Sequence, residues 1–204
     1  MDFNSLYPSI IQEFNLCFTT MDRSFLTATS TDDATQSTES QDLISALIAS
    51  VTSGGSGGDG SGANSDQQSR LPTSRASGIL PMELRRLVDS RREVKKLIAA
   101  AGDSDPVRCA QWNIRQMALK ITANSVYGCL GFAASRFCAR GLAALVTGLG
   151  RALLVNTRDI VENMDYEVVY GDTDSIMVNT NSKDLLNALA IGEKVKHEVN
   201  RRFR

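Results

Sequence analysis

Between Ala28 and Ser77 Ser, Thr, Gly, Asp and Gln dominate the chain, and the run SGGSGGDGSG at 53–62 offers almost nothing to bury. Ordering a backbone costs entropy that only buried apolar surface can offset, so a segment of this composition is read as a flexible insert. Any core must therefore be assembled from residues 1–27 and 78–204. Within the insert Leu43, Ile44, Leu47, Ile48 and Val51 fall at helical spacing, which allows one amphipathic helix there.

At 204 residues and 42% hydrophobic content, the chain is long enough for one or two domains. Its 22 basic and 23 acidic residues nearly cancel, so the overall balance points to neither a nucleic acid nor an anionic membrane. The distribution is uneven, however. Residues 28–76 hold six acids and two bases, whereas residues 82–120 hold nine bases against five acids, so basic charge gathers in one helical region. Cys17, Cys109, Cys129 and Cys138 show no CxxC spacing and His197 is the single histidine, which gives no zinc cluster and suggests reduced core thiols. The longest apolar stretch, 142–155, is interrupted by Thr147, Gly148, Gly150 and Arg151, and no leader is recognisable, so the expected setting is intracellular, without a membrane. Met1 is followed at once by the cluster DFNSLYPSII, which reads as the start of a truncated piece.

Periodicity lays out the foldable parts. Residues 1–27 read as a strand end, a turn at Pro8 and a short helix through Ile10, Ile11 and Phe14. Pro81 opens a helix from Met82 to about Ala101, a turn spans Gly102 to Pro106, and a second helix runs from about Val107 to Tyr127, with a break at Gly128. Together they make a helical hairpin. A further helix is expected from about Leu142 to Met164, strands at 166–170 and 175–179 flank a GDTD turn, and Ser182 can cap a last helix carrying Leu185, Leu186, Leu189, Val195 and Val199.

Asp172 and Asp174 sit two residues apart at that turn. A lone DTD is most often a solvated turn, but paired carboxylates are also what a hard divalent cation requires. On the second helix Gln116, Lys120 and Asn124 recur every four residues and Tyr127 follows, forming one polar stripe. On the first, Leu84, Leu87, Val88, Val94 and Ile98 mark an apolar face, and Arg91 and Lys95 fall near its middle. A single such cation would snorkel to water; two, one turn apart and aimed inward, suggest a shared anion.

Three segments, DFNSLYPSII at 2–11, KITANSVYG at 120–128 and YGDTDS at 170–175, resemble motifs A, B and C of the family B DNA polymerases, in that family's order. The resemblance covers residues 1–27 and about 78–204. QEFNLCFTT at 12–20, GILP at 78–81 and GCLGF at 128–132 look most like the alpha-type replicative members, whereas VTGLGR at 146–151 is somewhat delta-like, which makes a delta-type enzyme the nearest alternative. It implies an α+β fold: a partial palm of antiparallel sheet with packed helices at 1–27 and 131–204, and an α-helical fingers hairpin at 78–130. The implied reaction is templated transfer of a nucleotide from dNTP to a primer 3′-hydroxyl, in DNA replication and in the nucleus.

By the same resemblance Asp2 and Asp174 are the catalytic, metal-holding aspartates for two magnesium ions, with Asp172 as a supporting ligand. Tyr7 takes the steric-gate position against the sugar, and the backbone amides of Ser5 and Leu6 face the triphosphate. Arg91, Lys95 and Lys120 are its cationic ligands, with Arg92 and Lys96 as the alternative one residue on. Asn124 contacts the incoming dNTP, and Asn124, Tyr127 and Gly128 the nascent base pair. Implied partners are primer–template DNA or an RNA–DNA primer, dNTP, and, for an alpha-type member, primase and accessory subunits. The family's exonuclease domain, thumb and basic primer-strand motif have no counterpart here, the insert is long, and RFCARGL at 136–142 departs from the usual pattern. Residues 1–204 alone are therefore expected to be inactive. A different two-metal or DxD-type transferase, and a non-catalytic binding remnant of the fold, are the competing readings. SLYPS before KxxxNSxYG argues against the first, and the retained Asp2, Asp172, Asp174, Lys120 and Tyr7 against the second.

Overall fold

The computed structural model describes residues 1–21, 42, 46, 76–102 and 105–202. The expected insert, with the helix considered at 43–51, lies almost wholly outside them. The described residues gather into two compact units, 1–6 with 147–202 and 7–21 with 76–146.

The second unit begins with helix α1 (Leu6–Glu13). Pro8 does not make a turn ahead of this helix but sits in its first turn, where a missing N–H costs nothing. Ile10, Ile11 and Phe14 are buried as expected, and the left-handed Asn15 (φ 50°) ends the helix and leads into buried Leu16 and Cys17.

Helices α2 (Ile79–Ala101) and α3 (Pro106–Gly131) form the expected hairpin. Gly102 closes α2 at φ 53°, its N–H reaching Ile98 O at 3.3 Å. Asp105 caps α3, its Oδ1 accepting the Arg108 N–H at 3.0 Å, and Pro106 follows at a position that needs no donor. The expected break at Gly128 does not occur, since α3 continues to Gly131. Interior glycine costs about 1 kcal/mol. Burying Leu130 completely returns about 1.5–3 kcal/mol, so continuation wins. Leu84 and Val94 of α2 and Ala123 of α3 are also buried, while Val107, Ile114 and Ile121 stand exposed on α3. Trp112 is half-buried with the Arg108 guanidinium over its ring, 5.8 Å from the centroid.

Helix α4 (Arg140–Glu162) buries Leu142, Leu145, Val146 and Leu149 and passes through Gly148 and Gly150 without a break. No helix among the described residues is long and apolar enough to cross a membrane.

In the first unit, strands β1 (Glu167–Asp172) and β2 (Ser175–Asn179) pair antiparallel. Gly171 and Asp172 belong to β1, so the turn is only Thr173 and Asp174. Residues 1–3 lie along the other side of β2, with Phe3 N–H donating to Asp174 O at 2.7 Å and Ile176 N–H to Met1 O at 2.9 Å. Helix α5 (Leu185–Arg202) is capped by Asp184 rather than Ser182. The Asp184 carboxylate accepts the N–H groups of Leu186 (3.3 Å) and Asn187 (3.4 Å), while Ser182 Oγ accepts from Asp184 N–H and Asn187 Nδ2. Leu185, Leu186 and Leu189, expected on the buried face, are exposed. The core of this unit forms further along the helix, where Val195 and Val199 meet Val161 and Ile176. The result is a mixed fold of helices and a small antiparallel sheet.

Candidate active site

Whether Asp172 points into the core or out of it depends on a β-bulge. Val168 pairs with Val178 and Tyr170 with Met177, which leaves Val169 as the extra residue. Val168 and Val178 pack on the core cluster, and strict alternation would send Tyr170 and Asp172 to the same inner face. The bulge inverts the order beyond it, so Gly171 lies opposite buried Ile176 and Asp172 falls opposite Ser175 on the open face.

Ser175 is also the bridge partner of Asp2. Asp172, Ser175 and Asp2 therefore form one row across three neighbouring backbones, two carboxylates flanking a hydroxyl. Asp174 lies in the turn beside them, its backbone anchored by Phe3. Thr173 precedes it at φ 45°, a conformation costly for a β-branched residue, and its hydroxyl donates to Asp172 Oδ1 at 3.0 Å.

Asp2 and Asp172 are exposed and Asp174 is half-buried, and no ion pair among the described residues involves any of them. Their side chains are not drawn together, for no cluster of three or more His, Cys, Asp or Glu groups is gathered as a metal site among the described residues. The donor chemistry nevertheless fits magnesium: hard carboxylate oxygens, open to water, with no cation of the chain's own to neutralise them among the described residues. A cleft of about 400 Å³ on the same unit is lined by Asp2, Asn4, Thr157, Ile176, Lys196 and neighbours, and includes neither Asp172 nor Asp174.

The other expected site residues belong to the hairpin unit and its approach. Ser5 precedes α1 at φ 55°, and buried Leu6 is its first residue, where helix N–H groups point away from the helix's own ladder. Tyr7 on α1 meets Tyr127 on α3 with ring centroids 4.4 Å apart and planes inclined by 35°, which joins two segments far apart in sequence. Arg91 is half-buried and its Nε donates to Gln116 Oε1 on α3 at 3.3 Å. Lys95, expected to aim inward beside it, is exposed, so the inward pair is one residue and not two. The rotation from 91 to 95 carries the second side chain past the buried line set by Leu84 and Val94. Lys120 and Asn124 are exposed, as their polar stripe predicts. A Cβ at Gly128 would meet no atom within 4 Å, so no crowding inside the chain demands a glycine there.

The family model described as DNA polymerase family B matches residues 1–204. The chain belongs to DNA polymerase family B. Within it, this family B chain is 47% identical over 205 residues to the DNA polymerase alpha catalytic subunit of Drosophila melanogaster, covering 100% of the chain and 11% of that protein. It is 46% identical to that of Mus musculus, with 100% of the chain and 12% of the relative covered. With the corresponding protein of Oryza sativa subsp. japonica the identity is 43%, over 100% of the chain and 11% of the relative. The chain thus spans about a ninth of such relatives. Its fold is similar to the family B DNA polymerase from the hyperthermophilic archaeon Pyrobaculum calidifontis, at a TM-score of 0.60 and 24% identity, covering 96% of this chain and 22% of that one.

Two residues beside the candidate carboxylates, Thr173 and Ser175, lie within YGDTDS but are given no role by the sequence. Ser175 closes that segment and opens the strand, and its place between the carboxylates needs the register. Thr173 reads as turn filler, and nothing but its backbone angle marks it.

Proposed function

We propose that this chain is the nucleotidyl-transfer segment of a DNA-directed DNA polymerase of alpha type, acting in replication in the nucleus. The observation that carries the reading is the row Asp2, Ser175, Asp172 beside Asp174. A sheet that turns uncompensated carboxylates to solvent and holds one of them through a strained turn is suited to cation-dependent chemistry on phosphate. The β-hairpin, residues 1–3 and the helices against them belong to a palm, and the α2–α3 hairpin to fingers.

Asp2 and Asp174 would hold two magnesium ions, with Asp172 in support. When bound, the ions supply activation of the primer 3′-hydroxyl and neutralisation of charge on the leaving pyrophosphate. The remaining work is positioning, as phosphoryl transfer requires. Arg91, oriented by Gln116, binds the triphosphate together with Lys95 and Lys120, and the amides of Ser5 and Leu6 add neutral donors for the same anion. Tyr7, braced by Tyr127, lies against the sugar. Asn124, Tyr127 and Gly128 face the nascent pair, and the open space around Gly128 supports a backbone kept bare for a base to approach. Primer–template DNA, including an RNA–DNA primer, primase and accessory subunits are the partners that the alpha-type resemblance implies.

The test is primer extension by the whole polymerase, with magnesium required; metal-independent extension would overturn the reading. Residues 1–204 by themselves are expected to give no extension above background, even at low salt with millimolar magnesium. Gripping a duplex takes phosphate contacts over several base pairs, and the chain carries about a ninth of its relatives' length. Robust templated extension by this piece would refute that expectation. Deleting residues 33–73 from the whole polymerase should leave extension within about threefold, because the closure cost of a long loop changes only logarithmically with its length. A collapse in activity would show that the deleted segment makes a contact the reaction needs.

A further inference from the structure

A helix leaves its first N–H groups without partners in its own ladder, and they are usually met by a side chain at the cap. The cap of α2 is Gly78, which has none. Its donors are met instead by the turn that follows α1, more than sixty residues back. Asn15 Oδ1 accepts the Gly78 N–H at 2.7 Å, Asn15 Nδ2 donates to Ala76 O at 3.0 Å, and Cys17 Sγ accepts the Leu80 N–H at 3.3 Å.

The joint is close-packed. A Cβ on Gly78 would fall 2.5 Å from Cys17 Cβ and 3.0 Å from Thr20 Cγ2, and Gly78 has an ordinary extended φ of −64°, so its glycine is needed for space and not for conformation. Thr20 Oγ1 donates to Asn15 O at 2.5 Å, which holds Asn15 in its left-handed φ of 50°. Burial pushes the Cys17 thiol up, but the N–H groups of Leu80, Thr19 and Ile79 and the Thr19 hydroxyl outweigh this and hold it below its ordinary value. The sulfur behaves as a capping acceptor.

We propose that Asn15 and Cys17 are positioning residues that fix the start of α2, and through it Arg91, for binding the nucleotide triphosphate. The proposal rests on the reading that the α2–α3 hairpin takes that ligand. Pro81, Leu84 and Val94 of α2 are buried, Leu87, Val88 and Ile98 are half-buried, and Arg91 Nε reaches Gln116 Oε1 at 3.3 Å. Packing against α3 holds the body of α2, and the cap fixes where its first turn begins. Freeing that end turns Arg91 away from Gln116 without touching the carboxylates.

The experiment is steady-state primer extension by the whole polymerase carrying Asn15→Ala, Cys17→Ala or Cys17→Ser. Asn15→Ala and Cys17→Ala are expected to raise KM for dNTP by about tenfold, the scale of one lost hydrogen bond to a part-buried donor, with kcat within about twofold. Cys17→Ser, whose hydroxyl can accept the Leu80 N–H, should restore KM to near wild type. Faster hydrogen exchange at Gly78 and Leu80 in the Ala variants reports the loosened cap without reference to activity. If thermal stability falls while KM stays unchanged, or if Cys17→Ser is as impaired as Cys17→Ala, the positioning role is wrong and the contact is packing alone. Should Asn15→Ala not fold, Asn15→Asp keeps the acceptor for Gly78 and loses only the donor to Ala76, so KM near wild type is expected there, and a KM raised as far as in Cys17→Ala overturns the proposal. Asp174→Ala serves as the control: if that variant still extends primers, the polymerase reading has failed and not the cap.

Discussion

Asp174→Ala in the whole polymerase is expected to lower primer extension at saturating dNTP by at least a hundredfold or so, with no recovery as magnesium is raised. Loss of a residue that merely orients a metal ligand costs about 10–100-fold, and removal of a ligand itself should cost no less. The variant should still fold. The structural contact of Asp174 is made by its backbone oxygen, which receives the Phe3 N–H, and its side chain is half-exposed and outside every ion pair among the described residues. Circular dichroism and melting should therefore match wild type. A correctly folded variant retaining about a tenth of the wild-type rate would remove Asp174 from the metal-binding set.

The second large effect is on sugar choice. Tyr7→Ala should raise ribonucleotide incorporation relative to deoxynucleotide by about tenfold or more, which is what a missing wall of that size is worth in discriminating substrates. The Tyr127 ring centroid is 4.4 Å from that of Tyr7, so Tyr7→Phe should leave discrimination nearly intact while Ala leaves a gap that Tyr127 can only partly fill. Competition between a ribonucleotide and its deoxy counterpart on one template reads this directly. Unchanged selectivity in Tyr7→Ala would return the residue to ordinary packing.

The order of elements was legible in the sequence because each has its own period: 3.6 in the hairpin helices, two in the strands, and turn residues between them. Features set by tertiary register were not. The bulge that turns Asp172 outward leaves no mark in VVYGDTDS, since Val169 is as good a strand former as its neighbours. Lys95 looked inward because an ideal helical wheel averages over the whole apolar face, whereas only Leu84 and Val94 set the line that is buried. Gly128 looked like a stop because propensity was weighed without Leu130, whose burial exceeds the cost of a single glycine. The exposed Leu185, Leu186 and Leu189 show the same limit from the other side: period identifies a face, and only a neighbour in space buries it.

Trp112 has one more use. It is the chain's single tryptophan, and it sits half-buried on α3 beneath the Arg108 guanidinium. Light that excites indole but not tyrosine therefore interrogates this helix and nothing else in the chain. A cation held 5.8 Å from the ring centre biases the emission energy, so any event that shifts Arg108 relative to the indole changes the colour of the signal. The segment carries a built-in optical reporter, and its helical hairpin can be followed in solution without attaching a dye.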